Sequence, residues 1–247
     1  MTVRFERAGG VARITLDRPD KRNAMTDAMW SRFEEHLAGL EPGGAERVLV
    51  VTGAGGAFCG GSDVGGLLAD PASLPARIDA SNRCVLAMYE LPIPTIALVD
   101  GIAAGSGLNL ALACDFVLAS RRARFLQVFI HRGLSLDSGA SWLLPRLVGE
   151  RRARELALLG KQVPADEALE MGMINRVVAD GELEAAGAEL AATLCGYSPD
   201  ALAGNKKLLA QAWRTTLAQA LDAERDNQVE VISGDFAREQ ISSFGKK

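Results

Sequence analysis

The 247-residue chain has only two histidines, His36 and His131, and its four cysteines, Cys59, Cys84, Cys114 and Cys195, are scattered with no CxxC pair. A zinc site has little material to draw on, so no metal is expected, and the thiols read as reduced, as in the cytosol. No block of lysine or arginine stands out and the net charge is −4, which argues against a nucleic-acid partner. No run of ~18 apolar residues exists, so no membrane span is expected. The opening MTVRFERAGG has no apolar signal segment, and the expected location is cytoplasmic. Neither a fixed-period repeat nor a low-complexity tract is present.

What is there is ordinary globular composition, about half apolar and a quarter charged. Val3–Arg7 and Val11–Leu16 alternate around Gly9 and Gly10, which predicts a hairpin. Thr26 caps a predicted helix ending near Leu40, before Pro42-Gly43-Gly44. Predicted strands cover Arg47–Thr52, Thr95–Asp100 and Asp115–Ala119. Predicted helices cover Ser73–Glu90, Gly107–Ala113, Gly139–Leu147, Glu150–Leu159, Ala165–Met171, Leu183–Cys195, Asp200–Thr215, Leu217–Ser233 and Phe236–Phe244. Strands and helices alternate to about residue 180 and everything beyond is helical. The one boundary this suggests divides a core, 1–182, from a helical region, 183–247.

Two glycine-rich loops carry the chemistry. TGAGGAFCGGSD follows a strand but fails GxGxxG, because Phe58 takes the last glycine position, and it has no GK[ST]. GIAAGSGLNLALACD likewise follows a strand and runs into a helix. Glycine lets main chain approach a ligand closely, and the first N–H groups of a helix have no internal partner. One N–H from each loop could hold a carbonyl oxygen that turns negative, an oxyanion hole. The plainer alternative is that the glycines only turn the chain.

The segments LDRPDKRNAM, VVTGAGGAFCGGSD, PTIALVDGIAAGSGLNLALACD, LPRLVGERRARELALLGKQVPADEALEMGMINRVV and EQISSF, in that order, make the chain resemble the enoyl-CoA hydratase/isomerase (crotonase) family. The resemblance implies an α/β fold, a crotonase-like spiral of ββα turns with a C-terminal α-helical trimerisation region, assembled as a homotrimer or as a hexamer (a dimer of trimers). It implies an acyl-CoA thioester as substrate, with no metal or redox cofactor. By motif position the oxyanion donors are the N–H groups of Ser62 and Ser106, where relatives often carry Ala and Gly. Lys21, Arg22, Ala24, Gly60, Ser62, Asp63 and Val64 line the adenine and pantetheine path. Phe244 and Lys247 match positions that reach a neighbouring subunit's CoA.

Family hydratases use two glutamates, and here those positions hold Asn109 and Phe129. Neither side chain can act as a general base near pH 7. What remains is Asp137 in GLSLDSGAS, where some members carry a catalytic aspartate, including dienoyl-CoA isomerases, naphthoyl-CoA synthases, aryl-CoA dehalogenases and, most similar in pattern, the phenylacetate-type isomerases. The resemblance thus favours an acyl-CoA isomerase with Asp137 as acid/base. A hydratase and a non-catalytic acyl-CoA binder are the alternatives. Each candidate also has a plainer role: Asp137 as an N-cap, Asn109 as a helix polar residue, Phe129 as a pocket wall or core residue, and Asp63 as an Asx residue structuring its loop. His131 reads as a surface or satisfied histidine, Trp142 as core, and Lys206 and Lys207 as solvated helix charges.

Overall fold

The structure is a computed structural model, and it describes residues 2–41, 43–65 and 70–244. β1 (Thr2–Ala8) and β2 (Val11–Asp17) form the expected antiparallel hairpin. Gly9 and Gly10 turn it at φ +57° and +81°, values that favour residues without a Cβ. α1 (Asp27–Ala38) begins where Thr26 Oγ1 accepts from the Met29 N–H at 3.3 Å. β3 (Val48–Gly53), α2 (Leu74–Glu90), β4 (Thr95–Val99), β5 (Ile102–Ala104), α3 (Ser106–Leu112), β6 (Phe116–Ser120) and β7 (Arg124–Leu126) follow. A 3-10 turn at Val128–Arg132 leads to α4 (Ala140–Val148), α5 (Glu150–Leu159), β8 (Gln162–Pro164), α6 (Ala165–Glu170) and β9 (Arg176–Val178). The chain ends in α7 (Leu183–Cys195), α8 (Pro199–Gln211), α9 (Leu217–Ser233) and α10 (Asp235–Ser243).

The large sheet has the order β1-β2-β3-β4-β6-β9, parallel from β2 onward. A small sheet, β5-β7-β8, stands apart from it. Successive stretches of chain place a strand in the large sheet, then a strand in the small one, then a helix: β4, β5, α3, then β6, β7 and the helices after them. The preceding stretch does the same in reduced form, with β3, the Cys59–Ala103 bridge and α2. This is the ββα spiral.

Period-2 alternation sets the two layers of core. Leu49 and Val51 of β3, Ala97 and Val99 of β4, and Val117 and Ala119 of β6 face one cluster, with Trp30, Phe33 and Phe125. Val48 and Val50, Ile96 and Leu98, and Leu118 face the other, against Leu183, Ala191 and Leu194 of α7. α7, the first helix past the 182/183 division, therefore packs directly on the sheet. It sits close because Gly187 meets Leu98: a Cβ there would lie 2.7 Å from the Leu98 methyls. α9 and α10 contribute no buried residue.

Three expectations are corrected. The Gly101–Gly107 segment is not only loop, since β5 lies within it. The strand expected at Asp115–Ala119 starts one residue later, and the Asp115 carboxylate instead accepts from the Thr95 N–H and hydroxyl at 2.7 and 2.9 Å. Lys206 is not a solvated charge: it reaches Asp115 Oδ2 at 2.6 Å and the Ile93 carbonyl at 3.0 Å, tying α8 to the sheet's lower edge.

Candidate active site

The two glycine loops lock onto each other by main-chain pairing. The Ile102 carbonyl accepts from Phe58 and Cys59, both at 3.0 Å, and the Cys59 carbonyl accepts from Ala104 at 2.9 Å. Close approach is steric as much as polar. Gly107 has no room for a Cβ, which would lie 2.6 Å from Cys59, and Gly61 at φ +97° faces the Ala104 carbonyl, 2.9 Å from where a Cβ would be. That same Cβ position lies 3.6 Å from the Ser106 nitrogen. The residue before Ser62 thus lies against the amide of Ser106. The side chains also meet, Ser62 Oγ to Ser106 Oγ at 3.1 Å, and the Trp30 indole N–H donates to Ser62 Oγ at 3.2 Å.

Among the described residues, the N–H groups of Ser62 and Ser106 have no hydrogen-bond partner. Main-chain pairing flanks Ser62: Met25 donates to the Gly61 carbonyl at 2.8 Å and Asp63 donates to the Met25 carbonyl at 2.7 Å. Ser106 opens α3 and is buried. Two adjacent, unpaired donors are suited to an oxygen acceptor that carries or develops charge.

Asn109 follows Ser106 by three residues, so both share one face of α3. It is fully buried and hydrogen-bonded on both sides: its Nδ2 donates to the Asp137 carbonyl at 2.9 Å, and its Oδ1 accepts from Gln127 Nε2 at 2.8 Å. Phe129 is buried on the 3-10 turn, and its ring would lie 3.5 Å from a Cβ on Gly105, next to Ser106. The structure therefore brings Ser62, Ser106, Asn109, Phe129 and Asp137 into one neighbourhood.

Asp137 is half-buried and does not cap α4, as its sequence position suggested. The cap position is Gly139, with no side-chain hydrogen bond, and Asp137 Oδ1 instead accepts from the Ser138 N–H at 2.6 Å. Ser138 takes φ +52°, a left-handed conformation costing a non-glycine residue ~1 kcal/mol or more. Its hydroxyl is buried against Ser81 Oγ at 3.2 Å, which anchors the turn to α2.

Residues 6–247 match the family described as Enoyl-CoA hydratase/isomerase. The chain belongs to the enoyl-CoA hydratase/isomerase family. It is 39% identical over 241 residues to the 1,2-epoxyphenylacetyl-CoA isomerase of Escherichia coli (strain K12), covering 95% of this chain and 92% of that protein. It is 40% identical over 248 residues to a Rhodobacter capsulatus protein named "Probable enoyl-CoA hydratase", covering 100% of this chain and 95% of the relative. A Thermobifida fusca YX crystal structure in complex with acetoacetyl-CoA superposes with a TM-score of 0.88 at 35% identity, over 94% of each chain. The α/β spiral is thus the enoyl-CoA hydratase/isomerase fold.

The remaining candidates of this family member fall into two groups. Lys21 and Arg22 are exposed on a loop whose Arg22 and Asn23 take φ +51° and +57°. Gly60 donates to the Arg22 carbonyl at 2.8 Å, and the Ala24 carbonyl accepts from Arg18 at 2.9 Å. Asp63 structures this loop: its carboxylate accepts from the Gly65 N–H at 2.8 Å and from Arg18 Nη1 at 2.6 Å. Those two hydrogen bonds, the Gly65 one first, hold its carboxyl below the usual range. Val64 is exposed, and Phe244, beyond α10, is 92% exposed and stands apart from the cluster. Lys247 lies outside the described residues.

Three contributors had escaped the sequence reading. Asn23 is fully buried, accepting from the Arg18 N–H and donating to the Ala54 and Ala57 carbonyls, so it staples the first glycine loop to the hairpin side. Gln127 is 2% exposed, and one polar residue inside FLQVFI was the available signal. Trp30 is the third. His131 is structural, with Nε2 against the Gly160 carbonyl at 2.8 Å, and Trp142 packs at the core's margin, edge-on to Tyr89. A cavity of about 930 Å³ lies between α2, α4, α8 and α9, with Tyr89, Trp142 and Arg214 in its wall; it touches the Asp137 turn only at Gly139. Burial pushes the Cys59, Cys84 and Cys114 thiols up to about 12, which makes them poor nucleophiles.

Proposed function

We propose that this family member is an acyl-CoA isomerase. The thioester oxygen sits between the Ser62 and Ser106 N–H groups. Asp137 removes a proton from the α- or γ-carbon, and the C–H electron pair moves into an enolate whose charge rests on that oxygen. Asp137 returns the proton to another carbon, and the carboxylate is regenerated. Only protons and electron pairs move, so the steps call for no redox cofactor and no metal.

The observation that carries this reading is the pairing of Asn109 with Asp137. An amide stands at the place of the hydratases' first glutamate and is committed to holding the turn that bears the one matching carboxylate. Phe129 fills the place of the second. The likeness to the epoxyphenylacetyl-CoA isomerase supports the same side. The relative named a hydratase favours the second reading, hydration of an enoyl-CoA.

A panel of enoyl-, dienoyl- and aryl-acetyl-CoA thioesters, with products identified by mass spectrometry, separates them. Isomerised product from wild type, with turnover reduced at least 10²-fold in Asp137→Asn, is the expected result. Rapid hydration of crotonyl-CoA that survives Asp137→Asn overturns it. Tight binding without turnover across the panel would leave a non-catalytic acyl-CoA binder.

The same reading includes a homotrimer, or a dimer of trimers, and a cytoplasmic location without nucleic-acid or membrane partners. Leu209, Trp213, Leu217, Val229 and Phe244 are each more than 60% exposed on and between the C-terminal helices and at their end, and suit burial against a second copy. Among the described residues no helix is long and apolar enough to cross a membrane.

A further inference from the structure

The hydroxyls of Ser62 and Ser106 touch each other at 3.1 Å. Three polar hydrogens meet there, one on Trp30 Nε1 and one on each serine. The indole hydrogen is spent on Ser62 Oγ. One hydroxyl hydrogen makes the serine–serine bond. That hydrogen comes from Ser62, and the Ser106 hydroxyl hydrogen is left without an acceptor among the described residues. Ser106 is 2% exposed while Ser62 is half-buried, so bulk water does not readily take up the surplus on Ser106. A buried donor without an acceptor is costly, and the structure offers this one beside the two unpaired amides of the same residues.

We propose that the Ser62–Ser106 pair supplies a third donor, a hydroxyl, to the thioester oxygen of the acyl-CoA. This rests on the oxyanion reading above and deepens it. Trp30 donates to Ser62 Oγ, which strengthens Ser62 as the donor to Ser106 and leaves the free hydrogen on Ser106. The arrangement is redundant. Removing either hydroxyl also removes the serine–serine bond, and the surviving hydroxyl keeps its hydrogen for the ligand. Only loss of both hydroxyls empties the third position while leaving both amides in place.

The test is a double-mutant cycle with two readouts, using an acyl-CoA labelled with ¹³C at the thioester carbonyl. Exchange of its α-protons with D₂O reports enolate formation, and isotope-edited infrared spectroscopy reports the polarisation of the bound carbonyl. Ser62→Ala and Ser106→Ala are each expected to slow exchange by no more than about tenfold. The double variant is expected to slow it by about 10²-fold or more, with its carbonyl band moved back toward the free ligand's and with ligand affinity little changed. Ser62→Thr combined with Ser106→Ala keeps one hydroxyl and is expected to behave as a single variant, which guards against a loss caused by misfolding. Strictly additive losses, or a double variant with the wild-type band, overturn the proposal. In that case a wild-type band well below that of the free thioester leaves the two-amide hole standing. A wild-type band unmoved on binding removes the hole and the third donor together.

Discussion

The side-chain amide of Asn109 donates to the main-chain carbonyl of Asp137 at 2.9 Å, while Gln127 donates to the other end of the same amide at 2.8 Å. The orientation of Asn109 is thereby dictated: a carboxylate in its place would set an oxygen against the carbonyl of Asp137. Within this backbone, a base at 109 and a well-placed base at 137 are alternatives.

It follows that restoring a glutamate does not restore a hydratase. Asn109→Glu is expected to lower Asp137-dependent isomerisation at least tenfold and to add no crotonyl-CoA hydration. Asn109→Ala is expected to lower kcat with little change in KM, at a stability cost of about 1–3 kcal/mol for the buried groups left unpaired. Steady-state kinetics together with thermal melts check both, and brisk hydration by Asn109→Glu would refute the argument.

Gly61 is the steric hinge of the site. At φ +97° a side chain is strained whatever the space, and here a Cβ also meets the Ala104 carbonyl at 2.9 Å. Gly61→Ala is expected to push the two loops apart, costing about 1–3 kcal/mol in stability and reducing turnover far more than it reduces CoA binding. Urea denaturation and equilibrium binding of CoA separate those effects.

The Arg18–Asp63 pair sets an acid limit. Arg18 has a side chain 9% exposed and Asp63 one 29% exposed, at 2.6 Å. Asp63 is held below its ordinary value, first by the Gly65 N–H and then by Arg18. A depressed carboxyl contributes stability above the unfolded value, about 3.9, and that contribution is lost as pH falls through the lower folded value. Asp63→Asn is therefore expected to unfold at lower urea than wild type at pH 6, with the gap narrowing as pH falls below the unfolded carboxyl value. A gap that persists unchanged into acid would show that the charge is irrelevant.

The proposed assembly rests on exposed apolar side chains of the C-terminal region. Trp213 is 75% and Leu217 76% exposed. Trp213→Glu with Leu217→Glu is expected to turn trimers into monomers in analytical ultracentrifugation. A species of unchanged mass would place the interface elsewhere.

The long elements were legible in the sequence because each carries its own signal. Thr26 before α1 is a cap, β3 is a β-branched run, and α5, α7 and α9 begin and end where pattern and glycine place them. β5, β7, β8 and β9 were not legible: each is three residues long, too short for a period, and exists only through partners distant in sequence. The neighbourhood of Asp137 was read from motif position, but its support was not. The hydrogen bonds from Asn109 to the Asp137 carbonyl and from Ser138 to Ser81 span 28 and 57 residues, and no local pattern announces such a span. Asp137 looked like a helix cap because the two turns have the same residue preferences, and Ser138 in a left-handed conformation decided between them.

The amide hydrogens left unpaired at positions 62 and 106 belong to the polypeptide rather than to any side chain. Of the twenty coded residues only proline lacks that hydrogen, so a change at either position to any other residue keeps the two donors of the proposed anion cradle while it rewrites the side chains around them. On the proposed reading, positions 109, 129 and 137 decide the reaction, and they can change without removing the main-chain grip on the thioester oxygen.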